Sequence, residues 1–283
     1  GSWRSRRERV GGGGQDDPHR GAAPRRGLDL QRPADQRRAL PHPRKAIRLV
    51  TRYPRIEAPP VVPHLEHEPA LVACHLWFAA QIVWWRSHPV GETSFMAHRM
   101  DELTAKNPKA KLKYTWVPYE RISGNLKRAM VAAEDAKFVE HEGFDWEGIQ
   151  LAIEKNQKKG RVVAGGSTIT QQLAKNLFLT PARSYVRKAE EAVITVMLEA
   201  LLPKRRILEI YLNVVEWGNG VFGAEAAARH YFGVSAAQLS AEQAARLAAM
   251  APNPRFYERN QGAPGLNRKI GIILSRMPAA ELP

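Results

Sequence analysis

Beyond residue 118 the apolar positions recur at helical spacing almost without interruption. Ile122, Leu126, Met130 and Ala133 predict a first helix. Asp145 suits the N-cap of a second, burying Trp146, Ile149 and Ile153, with Gly160 as its stop. A third begins at Ser167 or Thr168 and carries Ile169, Leu173 and Leu177 on one face. A fourth runs from about Ser184 to Pro203, with Ala189, Val193, Val196, Met197 and Ala200 facing inward. Pro203 then fits the first turn of a fifth, which carries Ile207 and Tyr211. Ser240 and Gln243 form a capping box before an alanine-rich run that ends ahead of Pro252. A last amphipathic helix covers Asn267–Met277, and only Tyr114–Pro118 reads as extended. No long-period repeat is visible, so the expected fold class is mainly α.

The chain before this region has a different character. Residues 70–85, ALVACHLWFAAQIVWW, carry no formal charge. As a helix they would span about 24 Å against a hydrocarbon core of roughly 30 Å. Trp84 and Trp85 suit a headgroup boundary, whereas His75 and Gln81 suit a buried core helix better. The expectation is one transmembrane helix, with the arginine excess before it keeping the N-terminus cytoplasmic and the rest exported. A cleavable signal peptide is not expected, because the preceding segment is too long. Residues 1–69 hold 15 of the 43 basic residues and 10 of the 20 prolines, with a glycine run at Gly11–Gly14. Such a stretch cannot bury enough apolar surface to offset its chain entropy and reads as a disordered basic arm. Residues 86–113 read as a linker, leaving 114–283 as the catalytic-looking domain.

Composition adds two constraints. Hydrophobic residues make up 44% of the 283, enough for a sizeable core, and the lone Cys74 excludes a disulfide framework or a multi-cysteine zinc site. Lys and Arg total 43 against 28 Asp and Glu, a formal charge of +15. That excess points to an anionic partner: nucleic acid, a membrane surface or a phosphorylated substrate.

Three constellations could carry chemistry. Glu134-Asp135 ends a helix, followed by Phe138, His141 and Gly143. An acid at a helix-to-loop junction can face a cleft, where partial burial raises its pKa towards that of a general base. Most such pairs are solvated acidic helix ends. Gly165-Gly166-Ser167-Thr168-Ile169-Thr170-Gln171-Gln172 places hydroxyls and amides at a helix N-terminus, a natural anion site. Without a Gly-Lys-Ser/Thr at the required spacing it is not a Walker A loop, and it can equally be a glycine linker with a threonine cap. Lys175, Arg183, Arg187 and Lys188 follow, and together could grip a pyrophosphate. Arg187 and Lys188 oppose the helix dipole unless an anion sits nearby, and Glu191 beside them could hold a partner cation or a metal bridging phosphates. The plain alternative is a surface charge network.

These blocks, in this order and spacing, resemble the biosynthetic peptidoglycan glycosyltransferases of glycosyltransferase family fifty-one. Lys204-Arg205-Arg206-Ile207-Leu208-Glu209-Ile210-Tyr211-Leu212-Asn213 and Ala244-Ala245-Arg246-Leu247-Ala248-Ala249, with Pro252 and Pro254 after it, agree as well. The similarity spans about Tyr114 to Met277. The monofunctional branch matches best, since no Ser-x-x-Lys or Lys-Thr-Gly occurs.

The resemblance implies a lysozyme-like, two-lobed helical glycosyltransferase domain, the smaller lobe lying against a membrane. It implies polymerisation of lipid II, an undecaprenyl-pyrophosphate-linked disaccharide-pentapeptide, into glycan strands. Glu134 matches the family's catalytic base and Glu191 its second essential carboxylate. Lys175 and Arg183 match positions holding the donor pyrophosphate. Ser167, Thr168, Gln171, Gln172 and Asn176 match the polar groove around it, with Asp135, Phe138, Arg187 and Lys188 completing the expected binding set. No tightly bound cofactor is implied, only a divalent cation, Mg or Mn, at the pyrophosphate. The expected location is the bacterial cytoplasmic membrane, with the catalytic domain outside. Expected partners are lipid II, the growing strand, the bilayer, and proteins of cell-wall synthesis and division. Val162-Val163-Ala164 and Leu177-Phe178-Leu179 are expected in the membrane-apposed lobe.

Rival readings differ in class. A muramidase or lytic transglycosylase would share the fold class but has no need of the Lys175–Lys188 basic run. A nucleic-acid-binding module would need a concentrated basic face with a recognition motif, and none is present. A non-catalytic cell-wall scaffold would not need both matching carboxylates. The long basic arm and the short, polar anchor helix depart from the family pattern.

Overall fold

The computed structural model describes residues 68–161, 165–182 and 184–283. Residues 1–67 of the expected disordered arm therefore lie outside the described residues, as do Arg183 and Val162–Ala164, while Glu68 and Pro69 are helical. The described chain is mainly helical and falls within one compact unit.

The centre is α7, Lys204–Val214, whose residues Ile207 to Val214 are all buried. A helix covered on every side must satisfy its polar groups internally. Asn213 does so by accepting from the Val117 amide and donating to the Val117 carbonyl, both at 2.9 Å. Glu209 accepts from the Tyr119 amide at 3.0 Å and from Arg206 at 2.7 Å. Around α7 pack α5 (Ile169–Phe178), α6 (Tyr185–Leu201) and α8 (Ala224–Phe232). A second group is formed by α3 (Gly124–Glu134), α9 (Ala241–Met250) and α11 (Pro264–Arg276). Short α10, Pro254–Arg259, adjoins them. A small sheet of β1 (Lys113–Tyr114), β2 (Glu216–Gly218) and β3 (Val221–Phe222) has the order β1-β3-β2. β1 runs parallel and β2 antiparallel to β3, with Lys113 opposite Val221 and Glu216 opposite Phe222.

The helix signals act where the sequence places them. Asp145 caps α4 (Trp146–Lys159) by accepting from the Gly148 amide, and Gly160 ends it at φ 59°. Thr168 with Gln171, and Ser240 with Gln243, form complete capping boxes at α5 and α9. The inward faces differ more. In α6 the buried residues are Glu191, Ile194, Thr195 and Leu198, while Val193 and Val196 face outward and Ala189 and Ala200 are exposed. In α4 Trp146 is 71% exposed, Ile153 is exposed, and only Ala152 is buried. The inward face of α6 thus mixes Ile194 and Leu198 with Glu191 and Thr195, a stripe that hydrophobic periodicity does not pick out.

The expected linker carries α2, Ser94–Lys106, capped by Thr93 and packed on α5. Its Arg99 is buried and forms a two-pronged ion pair with buried Glu216, at 2.7 and 2.9 Å.

The expected transmembrane segment is α1, Glu68–Trp85. No helix among the described residues is long and apolar enough to cross a membrane. Instead α1 lies on α6, burying Phe78, Ile82 and Trp85 in the core. Phe78 and Trp85 meet the Phe178 ring at 4.5 and 5.4 Å between centroids. Arg206 caps the end of α1 by donating to the Trp85 carbonyl at 2.7 Å, and it also binds the His88 carbonyl. Leu177 and Leu179, expected near the membrane, are buried in the core.

Gly223, which precedes α8, has φ 83° and ψ 157°, a region open essentially to glycine alone. A Cβ there would meet the Asn213 carbonyl oxygen at 2.5 Å. Gly223→Ala should therefore cost about 3 kcal/mol of stability, read by urea denaturation. A loss below about 1 kcal/mol would show that the turn can relax.

Candidate active site

The site forms where the last residue of α3 faces the start of α5 and the first turns of α6. Asp135, the C-cap of α3, is buried, and each of its oxygens has a partner. Oδ2 accepts from the Ile169 amide at 3.0 Å, and Oδ1 lies 2.9 Å from His141 Nε2. The Gly143 amide donates to His141 Nδ1 at 3.2 Å, which leaves the ring proton on Nε2, towards Asp135. One carboxylate thus ties the end of α3 to the positive end of α5.

This tie sets Glu134 against α5. Gln172 Nε2 donates to Glu134 Oε2 at 2.7 Å, and the Tyr211 hydroxyl donates to Gln172 Oε1 at 2.9 Å. Tyr211 is fully buried on α7, so the relay anchors Glu134 to the centre of the fold. Burial pushes the Glu134 carboxyl above its ordinary value; the Gln172 hydrogen bond and the charges of Lys269 and Lys175 oppose this only in part. The result is a carboxylate poised towards proton uptake, as a general base requires.

The second carboxylate lies across Lys175. Glu191 is 3% exposed. Arg187 donates to its Oε2 at 2.7 Å, and Lys188 binds Oε1 while its ammonium lies 3.4 Å from Ser167 Oγ. Burial lowers the Lys175 pKa, with Glu191 opposing, Arg187 and Lys188 reinforcing, and Glu134 opposing. Lys175 therefore feels both carboxylates. Arg187 Nε is buried without a hydrogen-bond partner.

Not every expected binding residue can touch a ligand here. Thr168 and Gln171 are buried and spend their polar atoms on the capping box, Thr168 also donating to the Gly143 carbonyl at 2.7 Å. Asn176 is buried too. Phe138 is fully buried, with the Lys204 ammonium 4.6 Å from its ring centroid, so it packs rather than binds. These residues and Asp135 shape the site from behind. Glu134, Ser167, Gln172, Lys175, Arg187 and Lys188 are the ones with surface to offer. Three connecting groups lie outside the expected binding set: Tyr211, His141 and Lys269. Tyr211 was legible as an inward position and His141 as part of the Glu134–Gly143 constellation, whereas nothing local marks Lys269.

Glu191 already shares its oxygens with two cations. Among the described residues no group of three or more His, Cys, Asp or Glu side chains is arranged to hold a metal ion. Lys175, Arg187 and Lys188 bring positive charge to this cleft.

The family model described as Transglycosylase matches residues 100–278. The chain belongs to this family. A biosynthetic peptidoglycan transglycosylase of Dechloromonas aromatica (strain RCB) is 70% identical over 208 residues, which are 74% of this chain and 90% of the relative. Proteins of the same name from Janthinobacterium sp. (strain Marseille) and Azoarcus sp. (strain BH72) are 64% and 63% identical. They cover 74% and 75% of this chain, and 90% and 92% of their own lengths. The match begins inside α2, so residues 100–113 of the expected linker fall within the matched region.

The raised Glu134 pKa has a consequence for stability. The folded carboxyl holds its proton to higher pH than the unfolded one, so stability falls as pH rises between the two pKa values. Glu134→Gln should therefore raise the Tm of the transglycosylase at pH 8 and raise it little at pH 4. Equal shifts at both pH values in thermal melts would contradict a desolvated carboxylate.

Proposed function

We propose that this transglycosylase polymerises lipid II into peptidoglycan glycan strands, with Glu134 as the base and Lys175, Arg187 and Lys188 as the pyrophosphate grip. The observation that carries the reading is the pairing of a half-buried, proton-seeking carboxylate with a cluster of cations across a single lysine. The relatives' shared name, biosynthetic peptidoglycan transglycosylase, supports synthesis over cleavage. The cations support it independently, because cutting a glycan requires no anion grip.

In this reading Glu134 takes the proton of the acceptor's 4-hydroxyl. The oxygen attacks C1 of the donor sugar, and the bond from C1 to the pyrophosphate oxygen breaks. The electron pair leaves with the lipid pyrophosphate, whose growing charge the three cations meet. A single displacement inverts the donor carbon and forms a β-1,4 bond. A covalent glycosyl-enzyme would need a second carboxylate beside Glu134, about 5 Å away in retaining glycosidases. Asp135, the adjacent candidate, is committed to Ile169 and His141.

Purified full-length protein should convert labelled lipid II into muramidase-sensitive polymer. Glu134→Gln should slow this by about a hundredfold or more while retaining lipid II binding, and Lys175→Ala should weaken donor binding as well as turnover. Wild type that cleaves purified glycan and leaves lipid II untouched would instead support the degradative rival.

The substrate's lipid bears on the exposed apolar surface. α1 presents Leu71, Leu76, Trp77 and Trp84, and its neighbour α6 presents Val193 and Val196. Large apolar side chains exposed on two neighbouring helices point to an interaction face. We read it as the side that meets the bacterial cytoplasmic membrane, the catalytic domain lying on the outer side. Charged substitution of Trp77 and Trp84 together should reduce co-flotation with anionic liposomes severalfold. Undiminished flotation would remove this face from the membrane.

A further inference from the structure

Glu134 also borders a recess of about 200 Å³ between α3, α9 and α11, helices that carry none of the Lys175–Lys188 grip. Alanines of α3 and α9 and the ring of Pro252 form its walls, and Ile272 and Ile273 line it on the α11 side. At either end of this apolar stretch stand Lys269 and Arg276, seven residues apart on α11 and so about 10 Å along the axis. Lys269 reaches the Tyr257 hydroxyl at 3.3 Å, and its charge acts on Glu134. Among the described residues no carboxylate pairs with either cation. The volume is below the 300–1,000 Å³ or so of a pocket for a whole small ligand, so the recess fits part of a larger one.

Its chemistry selects which part. Two cations without acidic partners, set over small apolar walls, complement a chain with carboxylates and short side chains. The sugars of lipid II are neutral, and its pyrophosphate has a grip elsewhere. The peptide is the remaining anionic portion. Because Glu134 takes the acceptor's proton, a group seated beside Glu134 and away from the grip belongs to the acceptor. We propose that the recess between α3, α9 and α11 is a subsite for the carboxylate-bearing peptide of the acceptor lipid II, held by Arg276 and Lys269. The proposal rests on the polymerase reading above.

Arg276 is exposed and makes no side-chain pairing, so replacing it leaves the fold intact. The test compares wild type and Arg276→Gln on lipid II with free peptide carboxylates and on lipid II with those carboxylates amidated. With the free-acid substrate, Arg276→Gln should raise KM about fivefold and leave kcat within about twofold. With the amidated substrate, wild type should already show the higher KM and the substitution should change nothing further. Arg276→Glu should widen the effect on the free-acid form only. Equal KM changes on both substrates would move the contact to the pyrophosphate, and no change on either would empty the subsite; both outcomes overturn the proposal. Failure of wild type to polymerise the free-acid form would instead overturn the polymerase reading itself.

Discussion

The buried carboxylate of Asp135 is the constraint from which the site follows. A charged group taken out of water must be paired or fully hydrogen-bonded, and Asp135 meets that demand with the first amide of α5 and the His141 ring. Its neighbour in sequence is thereby held at the mouth of the cleft instead of drifting into solvent as helix ends commonly do. With α3 and α5 locked end to start, Gln172 stands one turn into α5 at hydrogen-bond distance from Glu134. Tyr211 then fixes Gln172 from the most buried helix of the fold. Position and proton affinity of Glu134 therefore come from the same set of contacts.

The two carboxylates are treated in opposite ways. Glu134 is half-buried with amide and distant cationic support, which leaves desolvation dominant. Glu191 is at least as well buried but is clamped directly by Arg187 and Lys188. Placing titratable groups in such different surroundings is how a site separates a proton acceptor from a fixed charge. Lys175 sits in the field of both, and an incoming polyanion would relieve the mutual repulsion of Lys175, Arg187 and Lys188. Part of the binding energy for an anionic ligand is stored in that repulsion.

Much of this was legible in the chain, and the reasons for success and failure are physical. Caps are local: Asp145, Thr168 and Ser240 act within four residues, so sequence shows them directly. The Glu134-Asp135 and Arg187–Glu191 blocks were visible because their residues are adjacent. Lys269 joins the site only through tertiary packing, which leaves no periodic trace. Thr168 and Gln171 were legible as site residues, yet their side chains form the capping box of α5, and Asn176 is buried further along that helix. Phe138 was likewise placed at the ligand and belongs to the core.

The misread faces of α4 and α6 follow one logic. Periodicity assumes that water lies on the far side of a helix, so the most apolar stripe is assigned inward. In α6 the inward face carries Glu191 and Thr195 beside Ile194 and Leu198, with Glu191 paired to Arg187 and Lys188 of the same helix. Val193 and Val196 are consequently turned outward, beside the exposed residues of α1. Burying the charged cluster and exposing the apolar stripe are thus two sides of a single rotation of α6. Turning the helix to hide its valines would carry Glu191, Arg187 and Lys188 together away from Lys175 on α5. A fold that keeps this rotation in water leaves its apolar face open to an apolar phase. The surroundings of Glu191 and the exposed face of α6 are accordingly bound together, and neither can be altered without the other.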